Sequence, residues 1–305
     1  MVRLLPAKRQ LVRLGAMMSP GLKSSYSLRL LAAVAKYVNS DDLLPTNMGI
    51  SANYKCLIPR DKSIPLFGKP EHYAGERGPL RLAGLLSQGA DCFLDVGAHI
   101  GYYTFYMRHQ MSEPKPIFYF EPNQALFEII ANNVRANRLP NVTGYQAAMG
   151  ATDGTAKFYL NLSDSASSSL TPAFRDKHQT AVVEVPTVRY CTFVKEHGLK
   201  NTCIKVDVEG AEEAFINGAA GAMDTVSCLI MEMLASGIRR QLPSRLINEY
   251  GFEAYYINDF RLEYSLDGSF TYQAPHYNWL FCRHAPECLQ TMVEPYGFEL
   301  ISQPE

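Results

Sequence analysis

The amino-acid sequence predicts an α/β protein built on a doubly wound, mostly parallel β-sheet. Three β/α units follow one another between residues 92 and 147. Such alternation is typical of a parallel sheet covered by helices on both faces. The 305-residue chain is 47% hydrophobic and 19% charged, a composition that allows a sizeable buried core.

Each strand is predicted from a short apolar run, as expected for strands buried on both faces. Seven runs qualify, at residues 92–96, 116–120, 142–147, 202–206, 227–231, 253–257 and 278–282. Apolar spacing predicts helices at 78–87, 100–109, 123–136, 192–197, 209–218 and 236–250. Residues 155–161 and 181–189 interrupt the alternation and predict a hairpin, with the polar 163–169 loop between them.

Four parts are expected along the chain: a basic N-terminal extension (1–45), a cap or substrate-side segment (46–90), the main α/β domain (91–290) and a C-terminal tail (291–305). Residues 1–40 contain seven lysines and arginines and no acidic residue, so a total charge of -1 leaves -8 on the remainder. An acidic body argues against nucleic acid as a partner. No apolar run approaches the ~20 residues of a membrane span, which leaves peripheral membrane contact by the basic extension. The seven cysteines form no CxxC pair, which favours reduced thiols and a cytoplasmic location.

The first candidate site is the loop Asp95-x-Gly97-x-x-x-Gly101, between the first strand of the main domain and its helix. Gly97 would permit a tight turn and close approach of a ligand, and Gly101 would present amides at a helix N-terminus. Asp95 could hold the cationic amino group of a methionine moiety, directly or through water. Ala98 and His99 depart from the G-x-G-x-x-G pattern of nicotinamide enzymes. The alternative is a tight turn in some other α/β enzyme, and His99 is predicted either to act as a base or to line the pocket.

The second candidate is Glu121, which ends the next strand 24 residues after Gly97. In nucleotide-binding α/β folds this position faces a ribose, where a carboxylate can accept hydrogen bonds from two vicinal hydroxyls. The alternative is that Glu121 merely favours the start of the following helix. Together with the first loop, Glu121 predicts a cofactor with a free ribose.

The third candidate is the segment 205–212, at the carboxyl end of the fourth strand, where ligands bind in such sheets. Alternation would place Lys205, Asp207 and Glu209 on one side, and buried acids are costly unless they serve a function. Asp207 is the first candidate general base and also a cofactor contact, with Lys205 or His99 as its partner. The alternative is that Glu209 and Glu212 only begin a helix. A divalent cation held by the carboxylates is a second alternative, but no metal site is expected because a clear third ligand is missing.

The acceptor side of the site is predicted between the strand-four rim, the 163–169 loop and the 46–80 segment. Its candidate residues are Tyr54, Tyr73, Glu76, Ser168 and Glu232. A polar, serine-rich loop suits a hydroxylated acceptor, although it is also what an ordinary turn contains.

These motifs together resemble the FkbM family of methyltransferases over roughly residues 90–235. The resemblance rests on Phe93-Leu94-Asp95-Val96-Gly97-Ala98-His99-Ile100-Gly101-Tyr102-Tyr103-Thr104, on Phe120-Glu121-Pro122-Asn123, on Asn132-Asn133-Val134 with Asn137, and on Lys205-Val206-Asp207-Val208-Glu209-Gly210-Ala211-Glu212. It implies a Rossmann-like methyltransferase fold with seven strands, the last antiparallel, and S-adenosylmethionine as cofactor. It also implies methyl transfer to a hydroxyl of a sugar, glycolipid or secondary metabolite. Two positions depart from the family pattern, which usually has Asn at His99 and an acid at Cys191.

Three rival functions remain at this stage. A nicotinamide-dependent oxidoreductase would need a second glycine in the first loop. A non-catalytic S-adenosylmethionine-binding protein would have no use for Lys205 and Asp207 together. A membrane-associated scaffold would need no pocket.

Overall fold

The structure is a computed structural model that describes residues 43–46, 48, 50–51, 53–59, 75–111, 115–161, 167–172, 179–233, 241–270, 272–273 and 275–302. Most of the predicted basic extension, Tyr73 and residues 163–166 of the predicted serine-rich loop lie outside the described residues. Within them, no helix is long and apolar enough to cross a membrane.

Helices and strands alternate through the middle of the chain. The strands are β1 (Leu43–Thr46), β2 (Cys56–Pro59), β3 (Cys92–Val96), β4 (Ile117–Phe120), β5 (Val142–Tyr145), β6 (Ala148–Met149), β7 (Gly154–Asn161), β8 (Gln179–Val188), β9 (Thr202–Val206), β10 (Val226–Glu232), β11 (Glu253–Asn258), β12 (Arg261–Ser265), β13 (Asn278–Cys282) and β14 (Glu299–Ser302). The helices are α1 (Arg77–Leu86), α2 (Tyr102–Gln110), α3 (Gln124–Ala136), α4 (Tyr190–His197), α5 (Glu212–Ala219), α6 (Leu242–Tyr250) and α7 (Pro286–Val293).

The main sheet has the strand order β14-β12-β11-β13-β10-β9-β3-β4-β5. Strands β10, β9, β3, β4 and β5 are parallel, whereas β13 is antiparallel to both of its neighbours. This confirms the predicted doubly wound, mostly parallel sheet with an antiparallel last strand. The order reverses between β3 and β9, so the open crevice at their carboxyl ends is where such sheets bind ligands.

In the described part of the chain the main sheet contains nine strands, two more than the seven predicted. All seven predicted strands are present, and β12 and β14 extend the sheet beyond β11. Strand β12 contains exposed and half-buried as well as buried residues, unlike the wholly buried β3 and β9. A partly exposed strand of that kind shows no continuous apolar run, which is the signal the prediction used.

The hairpin prediction is confirmed as a second sheet. Strands β7 and β8 pair antiparallel, and the short β6 pairs parallel to β8. The predicted strand 142–147 therefore corresponds to β5 of the main sheet and the two residues that connect it to β6 of the small sheet. This small sheet brings Met149 and Phe158 to the ligand-binding edge of the main sheet.

Two helix starts differ from the prediction for a backbone reason. Helix α5 begins at Glu212 rather than at 209, because Glu209 and Gly210 have φ values of +49° and +101°. Helix α2 begins after Gly101, whose φ is +85°. Right-handed helices exclude such angles. By contrast, the predicted cap at Asn123 is confirmed, since its side chain accepts a hydrogen bond from the Ala125 amide at 3.0 Å.

The core lies on both faces of the main sheet. Successive side chains of a strand point to opposite faces, so Cys92, Leu94 and Val96 of β3 pack on one side and Phe93 on the other. Both layers are closed by helices. Polar side chains are consequently concentrated at the carboxyl edge, where the strands end and the loops begin.

Candidate functional site

A cleft with an empty volume of about 680 Å³ lies at the carboxyl ends of β3, β4 and β9. It is lined by Val96, Gly97, His99, Phe120, Glu121, Pro122, Leu126, Ala147, Ala148, Met149, Phe158, Ser168, Leu170, Asp207, Val208 and Glu209. Residues from all three predicted motifs contribute to the lining.

Gly97 lies where the loops after β3 and β9 cross. Its φ is +82°, and a Cβ placed on it would be 1.9 Å from the Asp207 carbonyl oxygen. The Asp207 amide donates to the Val96 carbonyl at 2.9 Å, and the Gly97 amide donates to the Phe120 carbonyl at 3.0 Å. Glycine is therefore required here for the contact between two loops, and this contact sets where Asp207 lies.

Glu121 is buried at the base of the cleft, with only 5% of its surface exposed. One carboxylate oxygen accepts from the His99 amide and the other from the Asn123 amide, both at 2.8 Å. These bonds fix the plane of the carboxylate while its remaining lone pairs can accept from a ligand. Burial raises the pKa of Glu121 to about 8, and the two amide bonds only partly oppose that rise.

Asp95 lies behind the lining of the cleft. It is 2% exposed and is absent from the lining of the cleft. Its Oδ2 accepts from the Thr104 amide at 2.9 Å and from the Thr104 hydroxyl at 2.6 Å. Burial raises the pKa of Asp95 to about 6 against these bonds. In the structure Asp95 holds the first turn of α2, so direct contact with an amino group of the cofactor is not supported.

The remaining residues of the first loop, Ala98, His99 and Gly101, determine the path of its backbone. Ala98 is buried, and its amide donates to the Phe120 carbonyl at 3.0 Å. A Cβ on Gly101 would lie 3.0 Å from the Phe105 ring and 3.2 Å from Ile130, so Gly101 lets α2 pack on α3. The turn runs through His99, whose φ is +53°. Asn and His both tolerate this conformation better than most residues, which explains how His99 replaces the usual Asn of the resembled family.

An apolar wall, which sequence reasoning missed, completes the cleft. It consists of Met149, Phe158 and Leu170, from or beside the small sheet. Phe158 and Met149 are buried, at 5% and 1% exposure. Together with Leu126 on α3 they form a surface suited to a flat, weakly polar group such as a purine base. No local sequence pattern predicts this wall, because its three members come from separate segments of the chain.

Lys205 is the centre of a second group at the same edge, beside Asp207. The lysine is 1% exposed. Its Nζ donates to Asn278 Oδ1 at 2.9 Å, lies 3.4 Å from Asp207 Oδ2, and is 5.3 Å from the centre of the Tyr103 ring. Burial alone lowers the pKa of Lys205, but the nearby carboxylates, Asp207 first, outweigh it and the net shift is upward. Lys205 therefore remains a cation and is not a proton acceptor.

One more residue, Glu76, completes the Lys205 cluster, which we define as Glu76, Tyr103, Lys205, Asp207 and Asn278. The amide Nδ2 of Asn278 donates to Glu76 Oε1 at 3.1 Å, and the Tyr103 hydroxyl donates to Glu76 Oε2 at 2.6 Å. Asn278 is 2% exposed. Sequence reasoning missed Asn278. The available signal was a polar residue beginning an apolar antiparallel strand, because that end of the strand meets the carboxyl ends of its parallel neighbours.

Glu232 pairs in register with Asn278 across β10 and β13. Burial raises the pKa of Glu232 well above its usual value, and the charge of Asp207 adds to this rise. Its protonated form is thus favoured. Of the predicted acceptor-side residues, Glu232 and Glu76 lie at the Lys205 cluster and Ser168 lines the cleft.

Tyr54 is elsewhere. Its hydroxyl donates to the Phe105 carbonyl at 3.4 Å, and its ring packs on Phe105 and His109 at 5.8 and 6.0 Å. It is absent from the cleft lining, so a role as a cleft wall is not supported. Tyr73 lies outside the described residues.

The described residues contain no group of three or more His, Cys, Asp or Glu side chains arranged to hold a metal ion. The cleft, by contrast, fits a nucleoside. The Glu121 carboxylate, whose orientation is fixed, lies opposite the apolar wall. The carboxylate suits the hydroxyls of a ribose, and the wall suits a base. Asp207 connects the cleft with the Lys205 cluster.

Comparison with known proteins agrees with this geometry. The family model described as the methyltransferase FkbM domain matches residues 95–255, which is more than half of the chain. A search of curated proteins found no match.

Solved structures show similar folds at low sequence identity. The O-methyltransferase from Bacillus cereus, in complex with S-adenosylhomocysteine, is 12% identical over 92% of this chain and 98% of its own, with a TM-score of 0.40. TrmK of M. capricolum, also bound to S-adenosylhomocysteine, is 15% identical over 67% of this chain, with a TM-score of 0.37. The alignment spans 66% of TrmK, just under two thirds of its length.

The family match extends from the first motif through the third and beyond Glu232. The chain therefore belongs to the FkbM family of methyltransferases, and S-adenosylmethionine is its expected cofactor.

Proposed function

We propose that this protein methylates a hydroxyl group of a sugar, glycolipid or secondary metabolite. The observation that carries the proposal is the position of Asp207, which lines the cofactor cleft and lies 3.4 Å from a buried, cationic lysine. A carboxylate at the junction of cofactor and acceptor sites is suited to remove a hydroxyl proton.

The cofactor would be held by three features of the cleft. Glu121 would accept hydrogen bonds from both ribose hydroxyls, since its plane is fixed by the His99 and Asn123 amides. The apolar wall of Met149, Phe158 and Leu170 would cover the base. When bound, S-adenosylmethionine supplies a methyl group on a positively charged sulfur, which an oxygen nucleophile attacks.

Asp207 would accept the proton of the acceptor hydroxyl as that oxygen forms its bond to the methyl carbon. The bond from that carbon to sulfur would break at the same time, and S-adenosylhomocysteine would leave. The ammonium of Lys205 would keep the carboxylate oriented, because Lys205 is itself held by the Asn278 side chain at 2.9 Å. Lys205 is thus a positioning residue, while His99 and Glu209 would shape the cleft beside Asp207. General-base assistance of this kind is worth about 10²–10⁴-fold in rate.

A methyl-transfer screen with the purified full-length chain tests the proposal. S-adenosylmethionine is incubated with glycans, glycolipids and polyketide alcohols, and products are read by mass shift. We expect a gain of one methyl group on oxygen for at least one acceptor, and a fall of about 100-fold or more in kcat for Asp207→Asn. Methylation of nitrogen, sulfur or carbon acceptors alone would contradict the proposal.

The matched control is Asp224→Asn, which removes the same charge from an exposed position outside the cleft. It should keep near-wild-type turnover. If Asp207→Asn does so as well while binding the cofactor normally, Asp207 is not the base.

A further inference from the structure

We infer that Ser169 and Thr171 are positioning residues whose hydroxyl groups join the two walls of the cofactor cleft. This inference rests on the proposed function only in requiring that the cleft binds the cofactor, and not in requiring any particular acceptor. One wall is the segment 167–172, and the other is the turn 207–210 after β9. We call the two hydroxyl contacts the Ser169–Thr171 clasp.

The clasp consists of two hydrogen bonds to consecutive carbonyl groups. Ser169 Oγ donates to the Glu209 carbonyl at 2.6 Å, and Thr171 Oγ1 donates to the Gly210 carbonyl at 2.9 Å. Ser169 Oγ also accepts from the Thr171 amide at 2.9 Å, so the two contacts are linked. Ser169 is 1% exposed, and a buried hydroxyl with this geometry loses its partners if the walls separate.

The two walls that the clasp joins differ in how their own backbones are held. Ser169 exchanges two backbone hydrogen bonds with Tyr159 of β7, at 2.8 and 3.1 Å. On the other side, Glu209 and Gly210 have φ values of +49° and +101°. A turn in this region of φ is strained for a non-glycine residue and persists when neighbouring contacts hold it. The clasp supplies contacts of that kind.

The clasp is adjacent to the ligand space on both sides. Ser168 and Leu170, which flank Ser169, line the cleft, as do Val208 and Glu209 of the opposite turn. The two hydroxyl contacts therefore set the distance between the wall that would cover the base and the turn that carries Asp207. Loss of the clasp should release a bound nucleoside faster.

Stopped-flow measurement of S-adenosylhomocysteine dissociation from the full-length chain tests this role without any acceptor. Ser169→Ala and Thr171→Val each remove one donor and should speed dissociation by about 3- to 10-fold, the equivalent of one hydrogen bond. Thr171→Ser keeps the hydroxyl and should restore the wild-type rate.

Thr291→Val is the matched control, because Thr291 Oγ1 also donates to a backbone carbonyl, that of Glu287 at 2.9 Å, on an exposed face of α7. It should leave dissociation unchanged. If Ser169→Ala and Thr171→Val lower the melting temperature but release the ligand at the wild-type rate, the clasp is only structural and the inference is wrong. Should Ser169→Ala fail to fold, the half-buried Thr171 pair decides the outcome.

Failure of the proposed function gives a different result. If no hydroxyl acceptor is methylated but the clasp variants still release S-adenosylhomocysteine faster, the acceptor class is wrong and the clasp stands.

Discussion

Replacing Gly97 by alanine tests whether the crossing of the two loops organises the cofactor site. Gly198 provides the control, because its φ is also positive, at +62°, but a Cβ there meets nothing within 4 Å. The two variants share the backbone cost of a non-glycine residue in the left-handed region. They differ only in the contact with the Asp207 carbonyl.

The expected magnitudes follow from that difference. The shared backbone cost is about 1–2 kcal/mol. In Gly97→Ala the separation between Cβ and the Asp207 oxygen must also grow from 1.9 Å to at least 3.0 Å. This shift breaks or stretches the two backbone hydrogen bonds at the crossing, from the Asp207 amide to the Val96 carbonyl and from the Gly97 amide to the Phe120 carbonyl. Each such bond contributes about 0.5–1.5 kcal/mol. We therefore expect Gly97→Ala to lose about 2–5 kcal/mol of unfolding free energy and Gly198→Ala about 1–2 kcal/mol.

Urea unfolding at 25 °C measures the stability change, and calorimetric titration with S-adenosylhomocysteine measures the effect on the site. Gly198→Ala should keep wild-type affinity, whereas Gly97→Ala should lose at least about tenfold, since displacing a ligand-contacting loop costs more than 1.4 kcal/mol. Equal stability losses in the two variants, together with equal affinities, would refute the role assigned to the loop crossing.

Three further predictions concern the cleft and the Lys205 cluster. Glu121→Gln should weaken S-adenosylhomocysteine binding by about 10- to 100-fold, while Glu128→Gln on the exposed face of α3 should not. Because burial raises the pKa of Glu121 to about 8, above its unfolded value of about 4.5, its contribution to stability is complete below about pH 4.5 and is lost as the pH rises through 8. The unfolding free energy of the apoprotein, measured by denaturant titration from pH 5 to 9, should therefore fall less steeply with pH for Glu121→Gln than for the wild type. Parallel curves would show that the pKa of Glu121 does not contribute to the pH dependence of stability. Asn278→Asp should destabilise the protein by about 2–4 kcal/mol by placing a second carboxylate against Glu76, and the exchanged pair Glu76→Gln with Asn278→Asp should recover at least half of that loss in a double-mutant cycle. His99→Asn should keep cofactor affinity within about threefold and change stability by less than about 0.5 kcal/mol, because both residues tolerate its positive φ; a tenfold loss of affinity would mean that the imidazole ring itself holds the ligand.

The central part of the fold was predictable because its signals are local. Strands buried on both faces show continuous apolar runs, and β3, β4 and β9 were identified from them within one residue. Strand β12 and the edge strand β14 were not identified, because half-exposed strands lack that signal. The start of α5 was misplaced for a similar reason, since Glu209 has no composition signal for its positive φ.

The candidate site was likewise predictable only in part. Glu121 and Gly97 line the cleft as their spacing suggested, whereas Asp95 faces Thr104 behind it. All three residues end or follow a strand. A shift of one position along a strand reverses the face of the sheet to which a side chain points. Sequence spacing places a residue at the correct edge of a sheet, but only packing determines the direction of its side chain.

The sequence by itself determined the kind of fold and the motifs that bring a nucleoside cofactor to one edge, because each motif is a strand end followed by a turn of known chemistry. Only the tertiary structure decided what surrounds Lys205. Glu76 and Asn278 meet although 202 residues separate them in the chain, and both lie outside the residues that the family model matches. The physical reason is that strand order follows from burying both faces of the sheet, so the edge gathers side chains whose distance in sequence carries no information about their contact.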